Sequence, residues 1–259
     1  MSTKLHTNII FGPVKSRRLG TSLGINLTPE KRKICSFNCI YCECGFNETS
    51  DNSQSKFSAR KEVKGQLEEK FKKLIESGEF LDSITFSGNG EPTMHPDFAG
   101  VIDDVIELRD KYYPQAKISV LSNSTRITHE DIFNALNKVD NNILKLDAGT
   151  DELVRKIDQP ISKSFNLVDL VKQLKRFNGN LIIQTMFLRG TYLGESVDNT
   201  TEENISQWVK IIEEIKPKQV MIYSLDRDTP AKTIEKVEKK KLEEIGKKIS
   251  ALGIPVQIA

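Results

Sequence analysis

Residues 35–42 read CSFNCIYC and one more cysteine follows at position 44, so all four cysteines of the 259-residue chain lie within ten positions. Cys35, Cys39 and Cys42 have the spacing C-x3-C-x2-C. Iron–sulfur clusters are held by cysteine thiolates, usually four of them. Three closely spaced thiolates can therefore fix a [4Fe–4S] cluster and leave one iron open to an exogenous ligand.

Two other interpretations of the cysteines remain open. A structural zinc site requires four tetrahedral Cys or His ligands, and Cys44 would complete a set of four thiolates. Alternatively, the cysteines are buried as small hydrophobic residues, although the segment CGFN at residues 44–47 disfavours this for all four. We treat Cys44 as a bystander beside the cluster.

Composition and net charge limit the classes of protein to which the chain can belong. The chain has 38 lysines and arginines against 36 aspartates and glutamates, a net charge of +2, so nucleic acid is neither required nor excluded as a partner. No secretory leader is recognisable, and no apolar run approaches the ~20 residues that span a bilayer. We therefore expect no membrane partner and a cytoplasmic location, where thiols stay reduced and available as ligands.

Short β-branched runs alternate with amphipathic stretches, the pattern of βαβ units and a parallel sheet. The predicted strands are Leu23–Leu27, Ser83–Ser87, Lys117–Leu121, Ile143–Asp147, Leu181–Phe187, Gln219–Ser224 and Pro255–Ile258. Helical spacing of apolar residues predicts helices at Lys61–Ser77, Asp97–Lys111, His129–Lys138, Asn166–Phe177, Thr201–Ile215 and Ala231–Leu252. Six strand–helix units are too few for an eight-stranded barrel, yet they can curl into an open one.

We expect a single domain, 1–259, with a short N-terminal extension at 1–22 and a C-terminal helix and strand at 231–259. The segment Asn47–Ser58 is rich in Ser, Asn and Thr, which predicts a mobile loop after the cysteines. In parallel barrels the reactive groups gather at the C-terminal ends of the strands. The cysteines follow the first predicted strand, as this rule requires.

Glycines and polar side chains follow the next three strands. The segment SGNGEP at residues 87–92 follows the second strand, and its glycines allow close approach of the backbone to a ligand. The polar residues at the ends of the third and fourth strands are Ser122, Asn123, Lys145 and Asp147. Such side chains can hydrogen-bond a ligand at the mouth of a barrel. For Asp147, a helix N-cap or turn is an open alternative.

Two residues are candidates for the substrate side of the site. Gln184 is an amide in an otherwise apolar strand, so it is either satisfied by neighbouring strands or faces the lumen. Arg227 follows the sixth strand, and with Arg17 and Arg18 it could form a basic rim that attracts an anionic substrate. A surface salt bridge is the alternative for Arg227, and the basic run KRK at residues 31–33 is interpreted as surface.

The cysteine motif together with residues 87–92 resembles the radical S-adenosylmethionine (SAM) superfamily. The resemblance implies an enzyme with an α/β fold, a partial (βα)6 TIM-like barrel of parallel strands with outer helices. It also implies two cofactors, a [4Fe–4S] cluster on Cys35, Cys39 and Cys42, and SAM. In that family the open iron chelates the amino and carboxylate groups of SAM.

The resemblance also implies which residues bind SAM. Tyr41 matches the aromatic residue that lies near the adenine. Gly88, Asn89, Gly90 and Glu91 match the family's glycine-glycine-glutamate segment, whose backbone and carboxylate receive the SAM ammonium. Ser122 and Asn123 would lie near the SAM carboxylate, and Lys145 or Asp147 near the carboxylate or the ribose.

Two further segments narrow the resemblance. Residues 11–20 (FGPVKSRRLG) and 223–230 (YSLDRDTP) are similar to a bacterial radical SAM group related to the tRNA wyosine-forming synthases. Those synthases carry additional cysteines ahead of the motif for a second cluster, whereas no cysteine precedes Cys35 here. This difference argues against carrying over the wyosine reaction itself.

The resemblance implies that the reduced cluster passes one electron to SAM. SAM then splits into methionine and a 5′-deoxyadenosyl radical, which abstracts hydrogen from a substrate. The subgroup implies a tRNA base as substrate. The alternatives are a maturase or activating enzyme that acts on a peptide or partner enzyme, and a non-catalytic zinc or iron–sulfur module. A reduced flavodoxin or ferredoxin-like protein would supply the electron.

Overall fold

The computed structural model, which describes residues 5–48 and 56–259, is built on one ten-stranded sheet. The strands are β1 Ile10–Ser16, β2 Gly20–Ile25, β3 Ser83–Phe86, β4 Lys117–Ser122, β5 Asn141–Lys145, β6 Ile182–Tyr192, β7 Glu195–Ser196, β8 Gln219–Ser224, β9 Ile234–Lys236 and β10 Val256–Ile258. Their order along the sheet is β1-β2-β3-β4-β5-β6-β8-β10, and β7 and β9 pair with β6. From β2 to β10 each neighbouring pair on this path is parallel.

The helices connect consecutive parallel strands and cover one face of the sheet. They are α1 Arg60–Glu76, α2 Phe98–Tyr112, α3 Glu130–Lys138, α4 Asp151–Ile157, α5 Leu167–Lys175, α6 Glu202–Ile215 and α7 Lys239–Ser250. Side-chain oxygens of Asp97, Thr150, Asn166 and Thr201 accept a hydrogen bond from the backbone three residues on, which begins four of these helices. The curled parallel sheet with outer helices confirms the expected partial (βα)6 TIM-like barrel.

The two faces of the sheet bury different side chains because residues alternate along each strand. Phe86, Val120, Leu144 and Ile183 point to the helix side, where they belong to the main apolar core. Trp208 of α6 is fully buried in this core, and its Nε1 donates to the carbonyl of Leu146 at 3.2 Å. The helix side of the sheet therefore carries the stabilising core and leaves the opposite face for a site.

The opposite face, here called the lumen, is lined by hydroxyl groups on its first strands. The Oγ of Ser22 lies 2.7 Å from Thr85 Oγ1, which lies 3.0 Å from Ser83 Oγ. Ser83 Oγ is also 2.9 Å from Ser119 Oγ. A chain of hydrogen bonds thus crosses β2, β3 and β4 inside the barrel, so these buried hydroxyls satisfy one another.

Three local features differ from or add to the sequence prediction. The last helix begins at Lys239 and not at Ala231, because Ile234–Lys236 pairs with the extension of β6 as strand β9. The predicted N-terminal extension at 1–22 contains β1, which pairs antiparallel with β2. Helix α4 was not predicted, since its seven residues are too few for a clear apolar period.

Part of the predicted loop Asn47–Ser58 lies outside the described residues, at positions 49–55. Among the described helices, we find none with the length and apolar character needed to cross a bilayer.

Candidate functional site

The cysteine loop follows β2 at the C-terminal ends of the strands and is tied down on two sides. On one side, Ile40 N donates to Ile157 O at 2.9 Å and Ile161 N donates to Ser36 O at 2.9 Å. On the other side, Glu91 N donates to Ile34 O at 2.9 Å. Backbone hydrogen bonds to two other connections therefore hold the loop in place.

Gly90 is required for the second of these contacts. A Cβ on Gly90 would lie 1.8 Å from Ile34 O, and its φ of +143° lies in a region that L side chains rarely adopt. The neighbouring Gly88 is equally close to Asn26, whose Oδ1 would lie 2.2 Å from an added Cβ. The two glycines predicted from the sequence thus permit close backbone packing beside the cysteines.

The three motif cysteines have different surroundings. Cys35 Sγ accepts from Asn123 Nδ2 at 3.4 Å, and Cys39 Sγ lies 3.2 Å from Asp158 Oδ1. Cys42 is in hydrogen-bond contact with Cys44, whose Sγ lies 3.4 Å from Gly88 O. Burial and the charge of Glu91 raise the pKa of Cys35 to about 11. The hydrogen bond from Cys44, helped by Lys33, lowers the pKa of Cys42.

Two lysines, Lys33 buried and Lys145 partly buried, place positive charge among the thiols. Lys33 is buried and donates to Gly45 O at 2.8 Å, so its interpretation as a surface residue was wrong. Burial acts to lower the pKa of Lys33, but the charges of Cys42 and Cys35 outweigh burial and raise it. Lys145 Nζ lies 3.6 Å from Cys39 Sγ. Cations at this distance favour thiolates, the form of cysteine that binds metal.

Lys145 is also the centre of a buried ionic network. Its Nζ lies 2.9 Å from Asp147 Oδ2 and 3.3 Å from Asp158 Oδ1, and it contacts the hydroxyl of Tyr41, which donates to Asp147. Burial acts to lower the pKa of Lys145, but the two carboxylates outweigh it and raise the pKa well above the ordinary value. The network brings three of the predicted residues together. The N-cap of the following helix is Thr150, not Asp147.

Glu91 is buried, and its carboxylate accepts four hydrogen bonds. Oε1 accepts from Thr93 N at 3.1 Å, Thr93 Oγ1 at 2.6 Å and Ser122 Oγ at 2.8 Å, while Oε2 accepts from Asn123 N at 2.6 Å. Burial raises the pKa of Glu91. The structure thus joins Glu91, Ser122 and Asn123, and Asn123 in turn contacts Cys35.

Asn89 has a structural role in the same segment. Its side chain is fully buried and donates to Pro29 O at 3.0 Å and to His6 O at 2.8 Å. Its Oδ1 accepts from His6 N at 2.7 Å. Asn89 N also donates to Asn26 Oδ1 at 3.0 Å, and Asn89 O accepts from Ile34 N at 2.9 Å, so both the side chain and the backbone of Asn89 hold this segment in place.

The two substrate-side candidates lie in different places. Gln184 is buried, and its Oε1 accepts from Arg18 Nη1 at 2.8 Å. Arg227 is exposed and forms a surface ion pair of 2.7 Å with Glu43, and Arg17 pairs with Asp226 at 3.5 Å. Of the three arginines Arg17, Arg18 and Arg227, Arg18 alone enters the lumen, and the sequence did not distinguish it from Arg17.

Sequence reasoning also missed Asp158 and Thr93. Asp158 follows α4, the helix that was not predicted, so nothing placed it beside Cys39. Thr93 lies two residues after Glu91, in the 3-10 helix Pro92–Met94. Glu91 is the N-cap of this helix and accepts from Thr93 N, so an N-cap pattern in the sequence could have indicated the contact.

The thiols are not arranged around a single metal ion. In residues 5–48 and 56–259, which include all four cysteines, no three His, Cys, Asp or Glu side chains are grouped to hold one ion. No disulfide joins the cysteines. The closed tetrahedron of a structural zinc site is therefore absent from the described residues.

Two relatives cover most of the chain. It is 31% identical over 231 residues to a UPF0026 protein of Methanocaldococcus jannaschii, covering 88% of this chain and 66% of that protein. It is 29% identical over 253 residues to the GTPase Obg of Brachyspira hyodysenteriae, covering 96% of this chain and 34% of that protein. The chain thus spans between one third and two thirds of the length of these relatives.

Two solved structures share the fold. A radical SAM methyltransferase from Sphaerobacter thermophilus superposes with a TM-score of 0.66 at 15% identity, covering 92% of this chain and 65% of that one. TYW1 with a lysine-pyruvate adduct bound superposes with a TM-score of 0.62 at 16% identity, covering 90% and 75%. Residues 32–196 match the model of the Radical SAM superfamily, whose members use a [4Fe–4S] cluster and SAM, and the chain belongs to this superfamily of enzymes.

Proposed function

We propose that the chain holds a [4Fe–4S] cluster through Cys35, Cys39 and Cys42 and reductively cleaves SAM there. The observation that carries the proposal is the position of these thiols, on a tethered loop at the C-terminal ends of the barrel strands. The donor set fits a cluster, because thiolates are its usual ligands and two lysine ammonium groups lie among them. When bound, the reduced cluster supplies the electron that splits SAM into methionine and a 5′-deoxyadenosyl radical.

The residues around the thiols would tune and orient this site. Asn123 Nδ2 donates to Cys35 Sγ, and hydrogen bonds to the sulfurs shift the reduction potential of a cluster. Residues 88–91 would lie against SAM, as the family resemblance implies, and the two glycines let this segment pack closely on Asn26 and Ile34. Tyr41, Lys145 and Asp147 would bind the ribose, adenine or carboxylate of SAM.

An apolar cluster surrounds the thiols on the lumen side. Phe37, Ile40, Met186 and Leu225 pack there with Cys39. Such side chains exclude water from the site, which limits side reactions of a radical. The protein would therefore position the substrate and shield it, while the cofactors supply the chemistry.

The test is anaerobic reconstitution with iron and sulfide, followed by reduction and measurement of 5′-deoxyadenosine and methionine. Wild type should bind about four irons per chain and form both products. Cys39→Ala should lose both properties, whereas Cys44→Ala is the matched control and should keep them. One zinc per chain with no SAM cleavage would refute the proposal.

We further propose a tRNA base as the substrate, which then loses a hydrogen atom to the 5′-deoxyadenosyl radical. The support is the resemblance of residues 11–20 and 223–230 to the wyosine-related group. A flavodoxin or ferredoxin-like protein would be the electron donor, in the cytoplasm. Nucleoside and peptide profiles of cells with and without the gene test the substrate. A missing modified nucleoside supports tRNA, and an altered peptide instead would show a maturase.

A further inference from the structure

Arg18 carries a positive charge into the lumen. It lies in the turn between β1 and β2, at the N-terminal end of the barrel, where Leu19 packs against the apolar lumen cluster that includes Met221. Arg18 Nη1 donates to Gln184 Oε1 at 2.8 Å, and Cζ lies 4.3 Å from the centroid of the Tyr223 ring. Both partners are uncharged, and no carboxylate in the described part of the chain lies within 4.0 Å of the guanidinium nitrogens.

The polar groups next to Arg18 offer donors rather than acceptors. Because a guanidinium can only donate, the amide oxygen of Gln184 faces Arg18, and its Nε2 has no acceptor among residues 5–48 and 56–259. Gln184 is only 7% exposed. The hydroxyl of Tyr223 makes no hydrogen bond to those residues either. A guanidinium flanked by an amide N–H and a hydroxyl group suits an acceptor with negative charge.

A cavity leads to Arg18 from the N-terminal ends of the strands. Its volume is about 590 Å³, and its wall includes Ser83 and Asn141, the first residues of β3 and β5, and the charged residues Asp82 and Lys117. Gln184 and Tyr223 lie beyond this wall, on the inner side of Arg18. Gln257 also lines it and donates to Arg18 O at 3.2 Å, which holds the turn in place. The cavity therefore brings a small ion as far as Arg18.

The groups around Arg18 extend toward the cysteine loop. Gln184 is in register with Lys145, whose Nζ lies 3.6 Å from Cys39 Sγ. Tyr223 packs against the apolar cluster that contains Cys39. Gln184 and Tyr223 therefore connect Arg18 to the side chains that surround the cysteine loop.

We propose that Arg18, Gln184 and Tyr223 form a lumenal subsite for the carboxylate or phosphate group of the substrate. The planar guanidinium binds either oxyanion through charge-assisted hydrogen bonds. The subsite rests on the proposed function, because it orients a substrate toward the cofactors. It limits the substrate class to molecules, or parts of molecules, that carry an oxyanion and enter the lumen.

The test is calorimetric titration of the anaerobically reconstituted protein with sodium acetate and with inorganic phosphate. Wild type should bind one of the two, which also identifies the preferred oxyanion. Arg18→Gln should weaken that binding by roughly tenfold or more, since a charge-assisted bond is lost. Arg17→Gln is the matched control and should bind like wild type, because Arg17 pairs with Asp226 instead. Binding of neither probe, or equal losses in both variants, would overturn the subsite.

Gln184→Glu provides a second test that does not remove the arginine. The new carboxylate would pair with Arg18 inside the protein, so probe binding should fall by roughly tenfold or more while the melting temperature is kept. Unchanged probe affinity in a folded Gln184→Glu protein would overturn the proposal. The titrations need neither SAM nor reductant. A failure of SAM cleavage would therefore reject the proposed function, whereas a failure of probe binding would reject the subsite.

Discussion

Replacing Glu91 by glutamine tests whether this carboxylate braces the site. Three hydrogen bonds end on Oε1 and one, from Asn123 N, ends on Oε2. If the glutamine oxygen keeps the first three, its NH2 group faces the Asn123 N–H, so one charge-assisted bond is lost and a buried donor is left unsatisfied. These two costs, partly offset because a buried charge is removed, total about 3 kcal/mol.

The assay is urea unfolding of the reduced protein without cofactors, together with iron content after reconstitution. We expect a lower unfolding midpoint for Glu91→Gln at an unchanged slope, and a lower iron content, because Asn123 also holds Cys35. Glu62→Gln, at an exposed position of α1, is the control and should change stability by less than about 0.5 kcal/mol. If Glu91→Gln unfolds like this control and loses only SAM affinity, the carboxylate is a ligand of the SAM ammonium and not a brace.

Three further substitutions test other parts of the structure. Gly90→Ala should displace the cysteine loop and lower the iron content after reconstitution, because the new Cβ would meet Ile34 O. Gly65→Ala in α1 is the control, since open space surrounds that position, and it should stabilise the protein by about 0.5–1 kcal/mol in urea unfolding. Asn142→Leu should raise the free energy of unfolding by about 1–3 kcal/mol, because both polar side-chain atoms of Asn142 are buried without a hydrogen-bond partner in the described residues. Arg60 lowers the pKa of Asp104 through a hydrogen bond of 2.7 Å. Ionised Asp104 therefore contributes its full stabilisation of the folded state above the unfolded pKa of about 3.9, and this contribution is lost as pH falls through the lower folded pKa. Asp104→Asn should therefore cost about 1–2 kcal/mol at neutral pH, and the difference from wild type in urea unfolding should disappear in strong acid.

The apolar periodicity of the sequence predicted most helices and strands, whereas contacts between segments far apart in the chain were not predicted. The parallel strands and five of the helices were predicted within a few residues, because each has its own apolar period. Strand β9 was not predicted, because its partner is the extension of β6, some 45 residues earlier in the chain. A helical pattern at Ala231–Leu252 carries no information about that pairing.

The candidate site shows the same division. Cysteine spacing and the glycine segment mark the loop in the sequence, because their chemistry requires those residues at those intervals. Asp158 and Arg18 have no such local signal, since each acts through a residue more than a hundred positions away. Lys33 was misread for a related reason. A basic run is usually solvated, and only the fold shows that one of its lysines is enclosed by thiols.

The two ends of the barrel differ in how their charges are satisfied. At the C-terminal end, Lys145 is paired with Asp147 and Asp158, and the carboxylate of Glu91 has four donors. At the N-terminal end, the partners of Arg18 within residues 5–48 and 56–259 are all neutral. Removing one partner of a buried ion pair leaves a buried charge uncompensated and is costly, whereas a charge without a counter-ion remains available to a ligand. Substitutions at the Arg18 end should therefore alter what the barrel accepts, and substitutions at the cysteine end should alter whether the cofactors are held at all.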